Sequence, residues 1–123
     1  MAHYLDTSAL VKLVVAEAET EALRVWLDGA DLLVSSDLAR TELLRAVRRA
    51  APGRAIQARA VLDSITLIGI DGAMFETAGL LEPTTLRSLD AVHLAAALSL
   101  GDDLDSLITY DERLADAAHA NGV

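Results

Sequence analysis

The 123-residue sequence predicts one α/β domain spanning residues 1–123. We expect a parallel sheet of about four strands, with a short fifth left open, and helices on both faces. Two observations predict this class. Four short apolar segments, HYLDTS, DLLVSS, SITLIGI and SLITY, have strand length and are bounded by polar or turn-forming residues. Between them lie longer segments of helical character, and strands alternating with helices argue for parallel pairing through crossovers.

The first strand ends in polar residues at Asp6. Ser8 to Leu27 reads as helix, broken near Ala16 to Thr20 where charges interrupt the apolar pattern. DLLVSS is the second strand, with Ser35 or Ser36 expected to cap the next helix and Asp37 in its first turn. That helix runs to about Ala51. Pro52 opens a second one through PGRAIQARAVLDS, because a proline is easily placed where a helix starts. SITLIGI, the most β-branched segment, is the third strand. DGAMFETAGLLE reads as a helix stopped by Pro83, and Leu89 to Leu100 as another, ended by Gly101 and an acidic loop, DDLD. SLITY is the fourth strand, and DERLADAAHANG a closing helix with Gly122 as its stop. Val123 follows that stop directly where a further strand is normal, which leaves a truncated chain or an abbreviated last strand open.

Composition narrows the function. A hydrophobic content of 53% and a mean hydropathy of +0.36 exclude a disordered chain. No apolar run approaches the ~20 residues that span a bilayer, and no basic-then-apolar secretory signal opens the sequence. With no cysteine, disulfide staples, thiolate zinc sites and thiol nucleophiles are excluded. The expectation is a soluble, cytoplasmic protein without a membrane partner. A net charge of −9 argues at first against nucleic acid, yet Arg40, Arg45, Arg48, Arg49, Arg54 and Arg59 are six of the ten basic residues and fall in one short span. Acids gather elsewhere, so a basic surface remains available.

The segment from Leu89 to Leu100 has almost no polar face, and such helices are buried. It nevertheless carries Asp90 and, one turn on, His93. A carboxylate drawn into an apolar interior must be paired, bound to a cation or neutralised. Ligands of open α/β sheets bind beyond the carboxyl ends of the strands, and four acids are expected there. Asp6 ends the first strand, Glu42 lies about two turns into the helix after the second, Asp90 near the start of its helix, and Asp111 just after the fourth strand. Singly, each has a plain alternative: Asp6 and Asp111 as helix N-caps, Glu42 as a solvated residue paired with Arg45 or Arg49, His93 as a hydrogen-bonded core histidine. Together, four acids on four elements at one edge repel each other, and burial disfavours their charged forms further. A divalent cation removes both penalties, and oxygen-only ligation suits Mg²⁺ or Mn²⁺. Such a site fits metal-assisted phosphodiester hydrolysis, with Asp90 partnered by a shared metal.

YLDTSALVKL, ARTELLRAVRR, LRSLDAVHLAAAL and LITYDERLADAA resemble, in order and over nearly the whole chain, the four motifs of the PIN domain. More narrowly they resemble VapC-type toxins of bacterial toxin–antitoxin systems. The resemblance implies a Mg²⁺-dependent endoribonuclease whose acidic tetrad is Asp6, Glu42, Asp90 and Asp111. It makes Ser8 and Thr109 the small hydroxyl residues that support the acids. It also implies a homodimer, silenced by a cognate VapB-type antitoxin that wraps over the active groove. Relatives commonly continue past the final Gly-Val into a last short strand.

Two other functions fit parts of the pattern. A haloacid-dehalogenase-like phosphatase also starts with an Asp after its first strand, and GDDLD imitates its late paired acids. That chemistry needs a second Asp two residues on, where Ser8 stands. A phospho-receiver-like module needs a lysine after its last strand, and the only lysine is Lys12. Arg45 and Arg49, at i+3 and i+7 from Glu42, share its face and are candidates to hold RNA phosphates. Arg48, Arg54 and Arg59 are equally readable as solvated or as dimer and antitoxin contacts. With only Trp26, Phe75, Tyr4 and Tyr110 as aromatics, a base-stacking platform is not expected.

Overall fold

The computed structural model describes residues 1–123. Its elements are β1 (Ala2–Leu5), α1 (Thr7–Val14), α2 (Thr20–Asp28), β2 (Leu32–Ser36), α3 (Leu38–Ala50), α4 (Ala55–Ser64), β3 (Thr66–Ile68), α5 (Gly72–Leu80), α6 (Ser88–Leu98), β4 (Leu104–Ile108) and α7 (Glu112–Ala120). The four strands form one parallel sheet in the order β3-β2-β1-β4. The chain lays β2 and β3 outward on one side of β1, then crosses over to place β4 on the other. The direction of winding therefore reverses between β1 and β4. A crevice opens at the carboxyl ends of strands flanking such a reversal, where α/β sheets bind ligands.

Side chains alternate across the sheet, and the two faces are distinct. Leu5, Leu33, Leu67 and Ile108 point to one side, against Ala9 and Leu10 of α1, Leu43 and Val47 of α3, and Ala58 and Leu62 of α4. Their strand neighbours Tyr4, Val34, Ile68 and Leu107 point to the other, against Ala96 and Ala97 of α6. Behind α6 pack Ala78 of α5 and Leu114, Ala117 and Ala118 of α7. Helix α6 is thus enclosed, and every residue from Ala91 to Ala97 is buried, as its lack of a polar face requires. Helices on both faces are what the alternating pattern predicts.

Local boundaries differ from expectation in three places. Ser35 and Ser36 do not cap α3: both are paired strand residues, opposite Leu67 and Ile68, and Asp37 takes the cap position without a side-chain cap bond. Ladder pairing with β3 outcompetes the local hydroxyl turn that a serine pair suggests. Pro52 opens a short 3₁₀ turn, and α4 starts only at Ala55. Strand β4 begins at Leu104, which pairs with Ala2, so Asp105 is a strand residue rather than part of a loop. Its carboxylate reaches out to His3 Nε2 at 3.5 Å. Gly122 adopts φ +88°, the left-handed conformation that stops a helix at low cost only in glycine.

Candidate active site

Asp6 emerges from β1 directly into the crevice and performs two tasks. Its Oδ1 accepts the Ala9 N–H at 3.0 Å, which caps α1, and the Ser8 hydroxyl at 2.7 Å. Its Oδ2 accepts the Thr109 hydroxyl at 2.6 Å. Only 4% of the residue is exposed. Burial raises its pKa above the usual carboxylate range, and the bonds from Ser8, Thr109 and the Ala9 N–H only partly oppose that rise. Burial, not repulsion from the other acids, is the cause of the rise.

Asp111 repeats the design at the end of β4. Its Oδ1 accepts the Arg113 N–H at 2.9 Å and that of Leu114 at 3.4 Å, capping α7. Its own N–H donates to Thr109 Oγ1 at 3.0 Å, so one threonine serves both acids. Asp111 Oδ2 faces away from the cap and accepts Arg87 Nη2 at 2.8 Å, while Arg87 Nε donates to Asp90 Oδ2 at 3.0 Å. Asp90 sits at the lip of α6 rather than inside it, its side chain 15% exposed. Its partner in the structure is thus a guanidinium from one turn upstream. Arg87 was legible as LRSLD but carried no role in the sequence reading; an arginine three residues before a helix-start acid is the signal that would have found it.

Glu42 reaches the same crevice from α3. Its Oε1 accepts two donors, the Thr7 hydroxyl at 2.7 Å and His93 Nε2 at 2.5 Å. Burial acts to raise its pKa, but the bonds from His93 and Thr7, with the nearby Arg87 guanidinium, outweigh it and leave the carboxyl below its usual range. Glu42 is therefore not the solvated partner of Arg45 or Arg49. His93 is 2% exposed and hydrogen-bonded on both nitrogens, the second to Tyr4 Oη at 2.7 Å. It is a core histidine, as expected, whose ring touches one of the acids. Thr7 and Tyr4 were missed, although both sit in the motif YLDTS beside Asp6.

The four acids are thus linked through shared neighbours: Asp6 to Asp111 by Thr109, Asp111 to Asp90 by Arg87, and Asp90 to Glu42 through the helical turn that carries His93. No three acidic or histidine side chains are grouped tightly enough to hold a metal ion as they stand, and the cation among them is Arg87. Glu42 Oε2 and Asp90 Oδ1 accept no hydrogen bond within the fold, whereas both oxygens of Asp111 are taken, one by the α7 cap and one by Arg87. GDDLD lies at the other end of the sheet, running into the start of β4, where Leu104 pairs with Ala2. Its acids cannot join Asp6, which removes the phosphatase pattern. Arg45, Arg48 and Arg49 line one shallow concavity of about 250 Å³ on α3, so Arg48 belongs with the other two. Helix periodicity allows this grouping, since i+3 and i+4 both return to one face.

Four acids at the switch point of a small parallel sheet define a class. A family profile described as the PIN domain matches residues 3–120. The chain is 45% identical over 120 residues to ribonuclease VapC46 of Mycobacterium tuberculosis, covering 98% of this chain and 92% of that one. It is 44% identical over 117 residues to ribonuclease VapC47 of the same species, covering 90% and 85%, and 43% identical over 121 residues to ribonuclease VapC35, covering 95% and 90%. Among solved structures, M. tuberculosis VapC20, described as a toxin that cleaves the sarcin–ricin loop, superposes with a TM-score of 0.78 at 17% identity over 94% of each chain. The chain belongs to the PIN-domain family, and within it to the VapC ribonucleases.

Proposed function

We propose that this ribonuclease is the toxin of a toxin–antitoxin pair and cuts RNA through a divalent metal, Mg²⁺ or Mn²⁺, held by Asp6, Glu42, Asp90 and Asp111. The observation that carries the proposal is Arg87. The fold already draws one positive group between Asp90 and Asp111, which offsets the repulsion that two neighbouring carboxylates would otherwise feel. The donor set is oxygen only, which suits a hard metal. When bound, the metal supplies an activated water and stabilises charge on the phosphate oxygens.

The chain's own residues do the rest. Ser8 and Thr109 hold Asp6 from both oxygens, so the most buried acid is fixed in place. Arg45, Arg48 and Arg49 carry no ion pair among the salt bridges of the fold and face solvent. With a helix rise of about 1.5 Å per residue, Arg45 lies about 4.5 Å and Arg49 about 10 Å beyond Glu42 along α3. They form a track on which the phosphates of an RNA strand leave the site. A VapB-type antitoxin covering the crevice, a homodimer and a cytoplasmic setting complete this reading. It is supported by family membership and by the finding that no helix is long and apolar enough to cross a membrane.

The test is RNA cleavage with Mg²⁺ or chelator. Wild type is expected to cut only with metal, and Asp90→Asn to lose cleavage while keeping its fold. Asp90→Asn protein that cuts at the wild-type rate removes Asp90 from the site.

A further inference from the structure

We propose that His93, braced by Tyr4, is a positioning residue for Glu42: it ties down Oε1 and leaves Oε2 as the edge of that carboxylate presented to the site. The inference rests on Glu42 being one of the working acids.

A chain of three side chains links the centre of the sheet to the crevice. Tyr4 is fully buried in β1, which is paired on both sides, by β2 and by β4. Its hydroxyl lies 2.7 Å from His93 Nδ1, and His93 Nε2 lies 2.5 Å from Glu42 Oε1. The Tyr4 hydroxyl is placed to donate to Nδ1. With Nδ1 accepting from Tyr4, the ring carries its proton on Nε2, the nitrogen that faces Glu42. With Tyr4 on one nitrogen and Glu42 on the other, His93 has no lone pair left for a metal. The hydroxyl of Thr7 donates to the same Oε1 at 2.7 Å, so two donors converge on one oxygen and none on the other.

The brace also ties two acids together. Asp90 and His93 stand one turn apart on α6 and so lie on neighbouring positions of one face. The turn that presents Asp90 therefore also sets the carboxylate of Glu42, which belongs to another helix. A glutamate on a helix surface has three rotatable bonds, and holding one oxygen removes most of that freedom before any substrate arrives.

Four variants test the brace: His93→Leu, His93→Gln, Tyr4→Phe and Glu42→Gln. In metal-free protein the imidazole ¹⁵N spectrum is expected to show His93 protonated on Nε2, and to change in Tyr4→Phe and in Glu42→Gln. In cleavage with Mg²⁺, His93→Leu is expected to lower kcat about 10–100-fold, the usual effect of losing a partner behind a ligating carboxylate, with KM unchanged. His93→Gln, whose amide can donate from a similar position, should recover most of that loss. Adding His93→Leu to Glu42→Gln should cost nothing further, because His93 acts only through Glu42. A ring protonated on Nδ1 overturns the brace whatever the cleavage results. So do a KM effect in place of a kcat effect, losses that multiply in the double variant, or a glutamine no better than leucine. If His93→Leu does not fold, Tyr4→Phe decides the matter: it removes a single hydroxyl, and a wild-type kcat with an unchanged ring spectrum overturns the proposal. A wild type that cuts no RNA in Mg²⁺, with the Nε2 tautomer in place, refutes the nuclease role of the site, and with it the role of His93 in cleavage.

Discussion

Thr109→Val removes one hydroxyl from behind Asp6 and leaves a side chain of nearly the same shape. That hydroxyl donates to Asp6 Oδ2 at 2.6 Å and accepts the Asp111 N–H at 3.0 Å. A hydrogen bond to a charged group contributes about 1.5–3 kcal/mol, and a neutral one about 1 kcal/mol. The Asp111 side chain is 23% exposed, so water can replace the lost acceptor there, whereas Asp6 is sealed. With Asp6 ionised, the expected destabilisation is therefore about 2 kcal/mol, nearly all of it from Asp6. The pH dependence follows from the same bond. Because burial already raises the Asp6 pKa, folded protein holds the proton more tightly than unfolded chain. Wild-type stability contributed by this group thus falls as pH rises through the unfolded pKa and then the folded one. Losing Thr109 removes a bond to the ionised form and raises the folded pKa further. The deficit of the variant is then smallest below the folded pKa of the wild type and grows to its full size as pH rises through the higher folded pKa of the variant. Urea unfolding with chelator across that range measures it, with Thr109→Ser as the control that keeps the hydroxyl. A deficit equal at every pH, or a serine variant no better than valine, refutes the argument.

Other outcomes follow from the basic track and the acids. Arg45→Gln with Arg49→Gln should weaken RNA binding and lower its salt slope by about two while leaving metal binding intact; an unchanged slope moves those arginines to another surface. Mg²⁺ should raise the melting temperature of wild type, with the gain much smaller in Asp6→Asn and Asp90→Asn. The gain should survive in Asp103→Asn, which alters only the exposed turn before β4; equal shifts in all four mean that the ion merely screens a net charge of −9.

Much of this architecture was readable from periodicity, and the failures have physical causes. The helix around Asp90 was recognisable as enclosed because no face of it is polar, and Ala91 to Ala97 are indeed buried. Asp6 and Asp111 offered two readings, cap or site. The structure puts both carboxylates to use as caps through one oxygen, so the cap reading of each was true without excluding the other. Ser35 and Ser36 misled, because a serine pair before a helix signals a cap unless strand pairing claims it first, and strand order is not visible locally. Their hydroxyls end buried without hydrogen-bond partners. Arg87 is hidden as the partner of Asp90 because it precedes the helix, and its contact with Asp111 spans 24 residues of sequence. Such a contact appears only once β4 has been placed beside β1. Tyr4 and Thr7 escaped for the same reason: each acts on a residue brought in by a distant helix.

The claim that the four acids share one divalent ion is tested most directly with Mn²⁺, whose paramagnetism broadens nearby amide resonances. Titrated into metal-free protein, it should broaden Thr7, Glu42, Asp90 to Val92 and the amides following Thr109, and leave Asp102 to Asp105 at the far edge sharp. In Asp6→Asn the broadening at all these positions should weaken together. Broadening centred on Asp102 to Asp105, or effects at Asp6 and Asp90 that arise at separate Mn²⁺ concentrations, would contradict a shared site.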